Sequence, residues 1–379
     1  MRWLLDHDLP GSLAQRCQAA FTAPNARFAP VIEKQRELER QIKYQRKVMA
    51  MTDGTGEDEY VFIRGNYRKP GELVPRRFLE ALAGADQPRP AAGSGRLELA
   101  RRMLDAAGPL VARVMVNRVW KQHFGDGIVR TPDDFGNMGQ PPTHPELLDH
   151  LADEFIRHGW SLKWLHRRLL LSNAYQMSSR PDDPQAETID PQNKLCHRMP
   201  IRRLEAEIIR DALLAVSGRL NDTMYGRSVA PYISPFMEGR GRPASGPLDG
   251  DGRRSIYINV RRNFLTPLFL AFDYPTPFTT IGRRSVSNVP AQALAMLNNP
   301  FVNQQAELWA RRVVAAHANP ADRITAMYVS AFGRRPDAGE LQAALGFVGA
   351  NAAQAGEGEK QWSALAHVLF NVKEFIFIN

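Results

Sequence analysis

From Arg96 onward the chain places apolar residues three and four positions apart, the period of a helix with one buried side. The run "RLELARRMLDAAGPLVARVMVNRVWKQHFG" predicts two helices, interrupted at Gly108-Pro109 and stopped at Gly125. "PIRRLEAEIIRDALLAVSGRL" predicts another, with Leu204, Ile208, Ala212, Leu213 and Val216 on one side and Gly218 at the left-handed cap. Leu147, Leu148, Leu151 and Phe155 form a third stripe, led by Thr143-His144-Pro145-Glu146. That leader reads as a capping box: the Thr143 hydroxyl accepts from the Glu146 N–H, and the Glu146 carboxylate reaches back to the Thr143 N–H. Helices also flank Asn299-Pro300, and three more close the chain. A strand-like pattern is confined to Tyr60–Ile63 and to "SIYINV" at 255–260, where Ile256, Ile258 and Val260 alternate. Neither run is long enough to stand alone, so the two are predicted to share a small sheet. The expected class is mainly α, with a minor β component.

Ahead of these helices the pattern is weaker. The stretch to about Phe28 reads as a faint amphipathic helix followed by a loop with Pro24 and Pro30, and 31–51 carry charge nearly all round, with a thin seam of Val31, Leu38, Ile42, Gln45 and Met49. "GADQPRPAAGSG" at 84–95 loses all periodicity and reads as a linker. The resulting map is a helical arm with a short β connector over 1–83, the linker over 84–95, and a main helical domain over 96–379. The 44% apolar and 23% charged fractions are those of a folded protein. No apolar run approaches the roughly 18–20 residues that span a bilayer, and no secretory signal pattern is visible.

Charge adds one feature. The net charge of +9 rests on 40 Arg against 9 Lys, with nine Arg-Arg pairs scattered along the chain. Guanidinium forks suit carboxylates, sulfates and phosphates, so an anionic partner is conceivable. Nucleic acid is disfavoured, because a basic stripe with interleaved aromatics is missing. Cys17 and Cys196 stand apart, without the spacing of a thiolate zinc site or a haem attachment, and no cofactor is expected within this chain.

The densest chemistry lies in "HFGDGIVRTPDDFGNMGQPPTHPELLDH". Its glycines permit tight turns, and its aspartates suit turn and cap duty. His123, Asp134, His144 and Asp149 are the candidate acid/base groups, provided they converge on one accessible pocket. No zinc or calcium spacing is present, so no metal is assigned. Farther on, Arg254, Arg261, Arg262, Asp273, Arg283 and Arg284 gather around 253–284. Asp273 is expected to pair with an arginine in a structural role, and Arg254 to lie partly buried against Asp273, Glu205 or a bound anion.

The stretch "NRVWKQHFGDGIVRTPDDFGNMGQPPTHPELLDHLADEF" resembles the C-terminal domain of unknown function of large planctomycete and verrucomicrobial proteins. Further similarity follows in order through "SLKWLHRRLLLSNAYQMSS", "RRLEAEIIRDALLAVSG", "RRSIYINVRRN", "FDYPTPFTTIGRRSVSNVPAQALAMLNNPFV", "AFGRRPDAGEL" and "LFNVKEFIFIN", covering about 96–379. The shared pattern falls on Asn117, Arg118, Trp120, His144, Asp149, Arg203, Glu205, Asp273 and Arg283, among others. The resemblance implies an exported, envelope-associated protein whose full-length relatives often carry a cytochrome-c-like domain, and it marks this chain as a C-terminal portion. It assigns no catalytic residues.

Three functions follow as expectations. The first is an envelope-associated binding or scaffold domain for an anionic glycan or a partner protein, with Asn117, Arg118, Trp120, Arg254, Arg261, Asp273 and Arg283 as binding candidates. The second is a glycan hydrolase that uses carboxylates and histidines of 123–154. The third is an accessory to electron transfer.

Overall fold

The computed structural model describes residues 53–349 and 358–378 with gaps at 55, 89, 91–92, 106–107 and 182, and before them only 33–34, 37–38, 41 and 51. The predicted N-terminal helix and loop, and most of the 31–51 arm, lie outside the described residues. The chain is mainly helical, with fourteen helices from residue 80 onward and two small antiparallel sheets among the described residues. A hairpin of β1 (Glu59–Phe62) and β2 (Pro70–Val74) comes first, with Tyr60 opposite Leu73. After it run α1 (Glu80–Ala83), α2 (Arg96–Asp105), α3 (Gly108–Phe124), α4 (Pro145–Arg157), α5 (Leu162–Leu170) and α6 (Pro184–Ile189). Then come β3 (Arg202–Arg203), α7 (Ala206–Ser217), α8 (Pro267–Ala271), α9 (Pro290–Asn298) and α10 (Pro300–Ala316). The chain closes with α11 (Pro320–Phe332), α12 (Ala338–Val348), α13 (Gly358–Asn371), α14 (Lys373–Ile376) and β4 (Phe377–Ile378), which pairs with β3.

Proline sets where many of these helices begin. Helices α4, α6, α8, α9, α10 and α11 all open on one. The first turn leaves its N–H groups without helical partners, so the missing proton costs nothing there, and the fixed φ favours the helix. Asp183, Asn299 and Asn319 each add a side-chain cap immediately before such a proline. Gly218 ends α7 at φ +79°, the left-handed cap predicted for it.

The apolar faces pack into two clusters. One joins α3, α4 and α5 through Val116, Trp120, Leu151, Phe155 and Leu165. The other joins α7, α10, α11 and α13 through Ile209, Leu213, Trp309, Met327 and Phe370. Each large apolar side chain removed from water in this way contributes about 1.5–3 kcal/mol.

Three local expectations are corrected. The buried side of α7 is Ile209, Leu213, Leu214 and Val216, while Ile208, five positions before Leu213 and so about 140° round the helix from it, is half exposed, and Leu204 precedes the helix. The Thr143 capping box does not form. The Ile128 carbonyl accepts both the Thr143 N–H (2.9 Å) and its hydroxyl (3.3 Å), and His144 stands in the N-cap position with no side-chain bond to a helix N–H. The 255–260 run is not a strand paired with 60–63. The Asp211 carboxylate accepts from both the N–H and the hydroxyl of Ser255, each at 2.7 Å, and the chain tightens there into a 3-10 turn over Ser255–Tyr257. Only Ile258 is bridged, to Val229, and Ile256 is 77% exposed.

Candidate functional site

The loop after α3 is organised by one buried amide. Asn117, fully buried on α3, donates Nδ2 to the Val129 carbonyl (2.9 Å) and accepts the Val129 N–H on Oδ1 (2.8 Å). A Cβ at Gly127 would lie 2.5 Å from the Val129 oxygen and 2.7 Å from Asn117, so only glycine permits this approach. Downstream, Asp134 accepts the Gly136 N–H, and the Thr131 hydroxyl donates to the Asp134 carbonyl while accepting from Gln140. These bonds hold a turn. They also place Asp126 where it meets Arg130 and, at 3.1 Å, Arg283.

The four acid/base candidates have separate partners. His123 Nε2 lies 2.8 Å from His166 Nδ1, with the Tyr175 ring edge-on beside it. Burial, then the neighbouring His166 and Arg202, push the His123 imidazole below its ordinary pKa of 6.5. Asp134 serves its turn, and His144 Nδ1 meets the Thr143 hydroxyl. Asp149 accepts from Arg113 Nε at 2.7 Å, and that bond holds its carboxyl below the usual range. None of the four lines the two clefts described next.

Of the seven binding candidates, three stand apart from those clefts. Asn117 braces the loop, Trp120 is buried and stacks on Phe124 at 4.1 Å, and Arg118 is exposed on α3. The other four line the clefts: Arg254 and Arg261 the first, Asp273 and Arg283 the second.

The second cleft, of about 440 Å³, opens between the two apolar clusters, with Phe124 of one and Phe272 of the other in its walls. Lys121, Arg202, Arg203, Arg283 and Arg284 meet there with Asp126, Glu205 and Asp273. Most of this charge is neutralised internally. Arg203, 4% exposed at its side chain, donates to Asp273 at 2.7 Å, as the expected structural pair of Asp273 with an arginine requires. Asp273 also accepts the Ser287 N–H and hydroxyl, and its backbone sits at φ +60° to present the carboxylate to both. Burial opposes ionisation of Asp273, but the Ser287 and Arg203 bonds outweigh it and hold the carboxyl below its usual range. Arg284 forks onto Glu207 at 2.7 and 2.9 Å and touches Glu205 at 3.2 Å. Arg254, half exposed, has Asp211 at 3.9 Å for its carboxylate, in place of Asp273 or Glu205.

Two cations differ. Lys121 Nζ donates to the Gly282 carbonyl (2.6 Å) and Arg202 Nη1 to the Gln122 carbonyl (2.6 Å), and neither has an ion pair among the described residues. Arg202 Nε is buried with no hydrogen-bond partner. Burial lowers the pKa of both groups, Lys121 being further depressed by Arg283.

The family model for PSD1, a protein of unknown function (DUF1553), matches residues 95–348. The chain belongs to this family. No curated protein and no solved structure matches it. The matched stretch of the PSD1 chain holds both apolar clusters except α13 and α14, and all the charged residues of the second cleft; Phe377 and Ile378 of its wall lie beyond. Lys121 and Arg202 were not among the binding candidates. Arg202 does belong to one of the nine Arg-Arg pairs, but pairing alone does not separate it from the other eight. Lys121 carries no sequence signal of its own, since its importance comes from meeting residues 282–284 across the fold.

Proposed function

We propose that this PSD1 domain is a binding module whose second cleft receives an anionic group carried by an envelope polymer or an acidic partner protein. The observation that carries the reading is the contrast among its cations. Arg203, Arg283 and Arg284 each have a carboxylate in ion-pair contact, whereas among the described residues Lys121 and Arg202 donate to backbone carbonyls and feel Glu205 only beyond ion-pair distance. A cation taken partly out of water is stabilised by an opposite charge, and a carbonyl dipole supplies only part of that. A carboxylate or sulfate between Lys121 and Arg202 would complete the set of cation–anion pairs in the cleft. The envelope setting is supported by the sequence resemblance to exported proteins.

Retention on a sulfated and on a neutral glycan matrix, at low and at physiological ionic strength, tests this. The sulfated matrix is expected to retain the protein with a strength that falls as the screening length shortens to about 8 Å. The Lys121→Gln, Arg202→Gln double variant is expected to elute early from the sulfated matrix while its elution from the neutral one is unchanged. Equal retention on both matrices would refute the proposal.

A further inference from the structure

The second cleft has a neighbour behind a thin wall. Glu205 and Ile208, at the start of α7, line both it and the first cleft, of about 360 Å³. The two differ in chemistry. Beyond the wall the lining is largely apolar, with Ile256, Ile258, Val260, Phe264 and Tyr274, and its charges include Glu207, Asp211, Arg254 and Arg261. An occupant that fits both is elongated, carries an anionic group at one point, and presents a face of C–H groups at the next.

The carboxylates on the wall narrow the class further. Glu207 is engaged by the Arg284 fork and Asp211 by Ser255, but Glu205 is 44% exposed and has a single ion pair, to Arg284 at 3.2 Å. It keeps lone pairs free to accept hydroxyl protons. An acidic peptide with a carboxylate at each step would bring like charge against Glu205, whereas a sugar brings hydroxyl donors. We propose that the two clefts form one groove for an acidic glycan of at least two sugar units, with a uronate beside Arg202 and Lys121 and a neutral pyranose face on the apolar wall of Ile256 and Val260. The proposal rests on the anion-binding reading of the second cleft and extends it to ligand class and length.

Titration of the whole chain, by ligand-observed NMR and calorimetry, with free glucuronic acid and with di- and tetrasaccharides alternating glucuronate and N-acetylglucosamine tests it. Affinity is expected to rise by roughly tenfold or more from the monosaccharide to the tetrasaccharide. The Ile256→Ser, Val260→Ser double variant, at two exposed positions that folding tolerates, is expected to bring tetrasaccharide affinity down toward that of the free acid. Binding of glucuronic acid with no gain along the series would overturn the extended groove and leave the anion site standing. Tighter binding of poly-glutamate than of the tetrasaccharide would also overturn it, in favour of a peptide. If neither sulfate, glucuronic acid nor any longer probe binds, the anion-binding reading itself falls.

Discussion

Asn117→Ala removes a single side chain that serves two backbone groups, which lets its cost be worked out. Val129 is 2% exposed, and both its N–H and its carbonyl are bonded to the Asn117 amide. Leaving a buried backbone group unsatisfied costs about 1–3 kcal/mol. Asn117 and Val129 are both buried, so bulk water does not reach the two groups. Two such groups give an expected loss of about 2–6 kcal/mol. N117D separates the two bonds, because a carboxylate still accepts from the Val129 N–H but repels the Val129 carbonyl. It is therefore expected to be destabilising at neutral pH and partly rescued in mild acid, where a protonated carboxyl can donate again. Urea denaturation followed by tryptophan fluorescence is suited to the measurement, since Trp120 lies one turn along the same helix. A loss below about 0.5 kcal/mol for Asn117→Ala, the range of ordinary surface substitutions, would refute the account of this loop.

Arg203→Met should cost about 3 kcal/mol, the low end for breaking a buried pair, because it strands the Asp273 carboxylate; chemical denaturation checks this. The Asp273 carboxyl titrates below its unfolded value, so its contribution is present above that value and lost as pH falls through the lower, folded one; Asp273→Asn should flatten the acid limb of the stability profile. His123 is held below 6.5, so the folded state binds its proton less readily than the unfolded chain, and stability should fall as pH drops from about 6.5; thermal melts of His123→Gln across pH 5–8 should show that slope reduced. Asp337→Ala should cost about 1 kcal/mol, since Asp337 caps α12 in a formed capping box with Glu340, and Thr143→Ala should cost less, its hydroxyl serving no helix N–H and meeting only the Ile128 carbonyl at 3.3 Å and the half-buried His144 ring. A larger loss at Thr143 in paired urea titrations would contradict the observed start of α4.

Helix positions were legible in the sequence wherever apolar spacing and proline acted together, as at Leu148, Leu151 and Phe155 after Pro145, or at the Gly108 break. What spacing could not supply was competition for backbone groups. Thr143 has the chemistry of a cap, yet Ile128, fifteen residues earlier, takes its N–H and hydroxyl. Ser255 to Val260 alternates like a strand, yet Asp211 on α7 draws Ser255 into a turn. The cleft shows the same limit. Arg254, Arg261, Asp273 and Arg283 were found because they crowd one stretch of sequence, while Lys121 and Arg202 join them only through folding. His123, Asp134, His144 and Asp149 became candidates through proximity along the chain, on the condition that they converge, and in the fold each has a different partner.

The bonds that cross between the two apolar clusters have a mechanical consequence. Lys121 reaches Gly282, Arg202 reaches Gln122, Arg283 reaches Asp126, and the Gly282 N–H reaches Asp133. Each of these is a bond that water or salt can replace as it breaks, unlike the interlocked side chains within either cluster. Under tension the seam is therefore the plane of least resistance. It should part at low force, leave both helical halves intact, and close again when the load is removed.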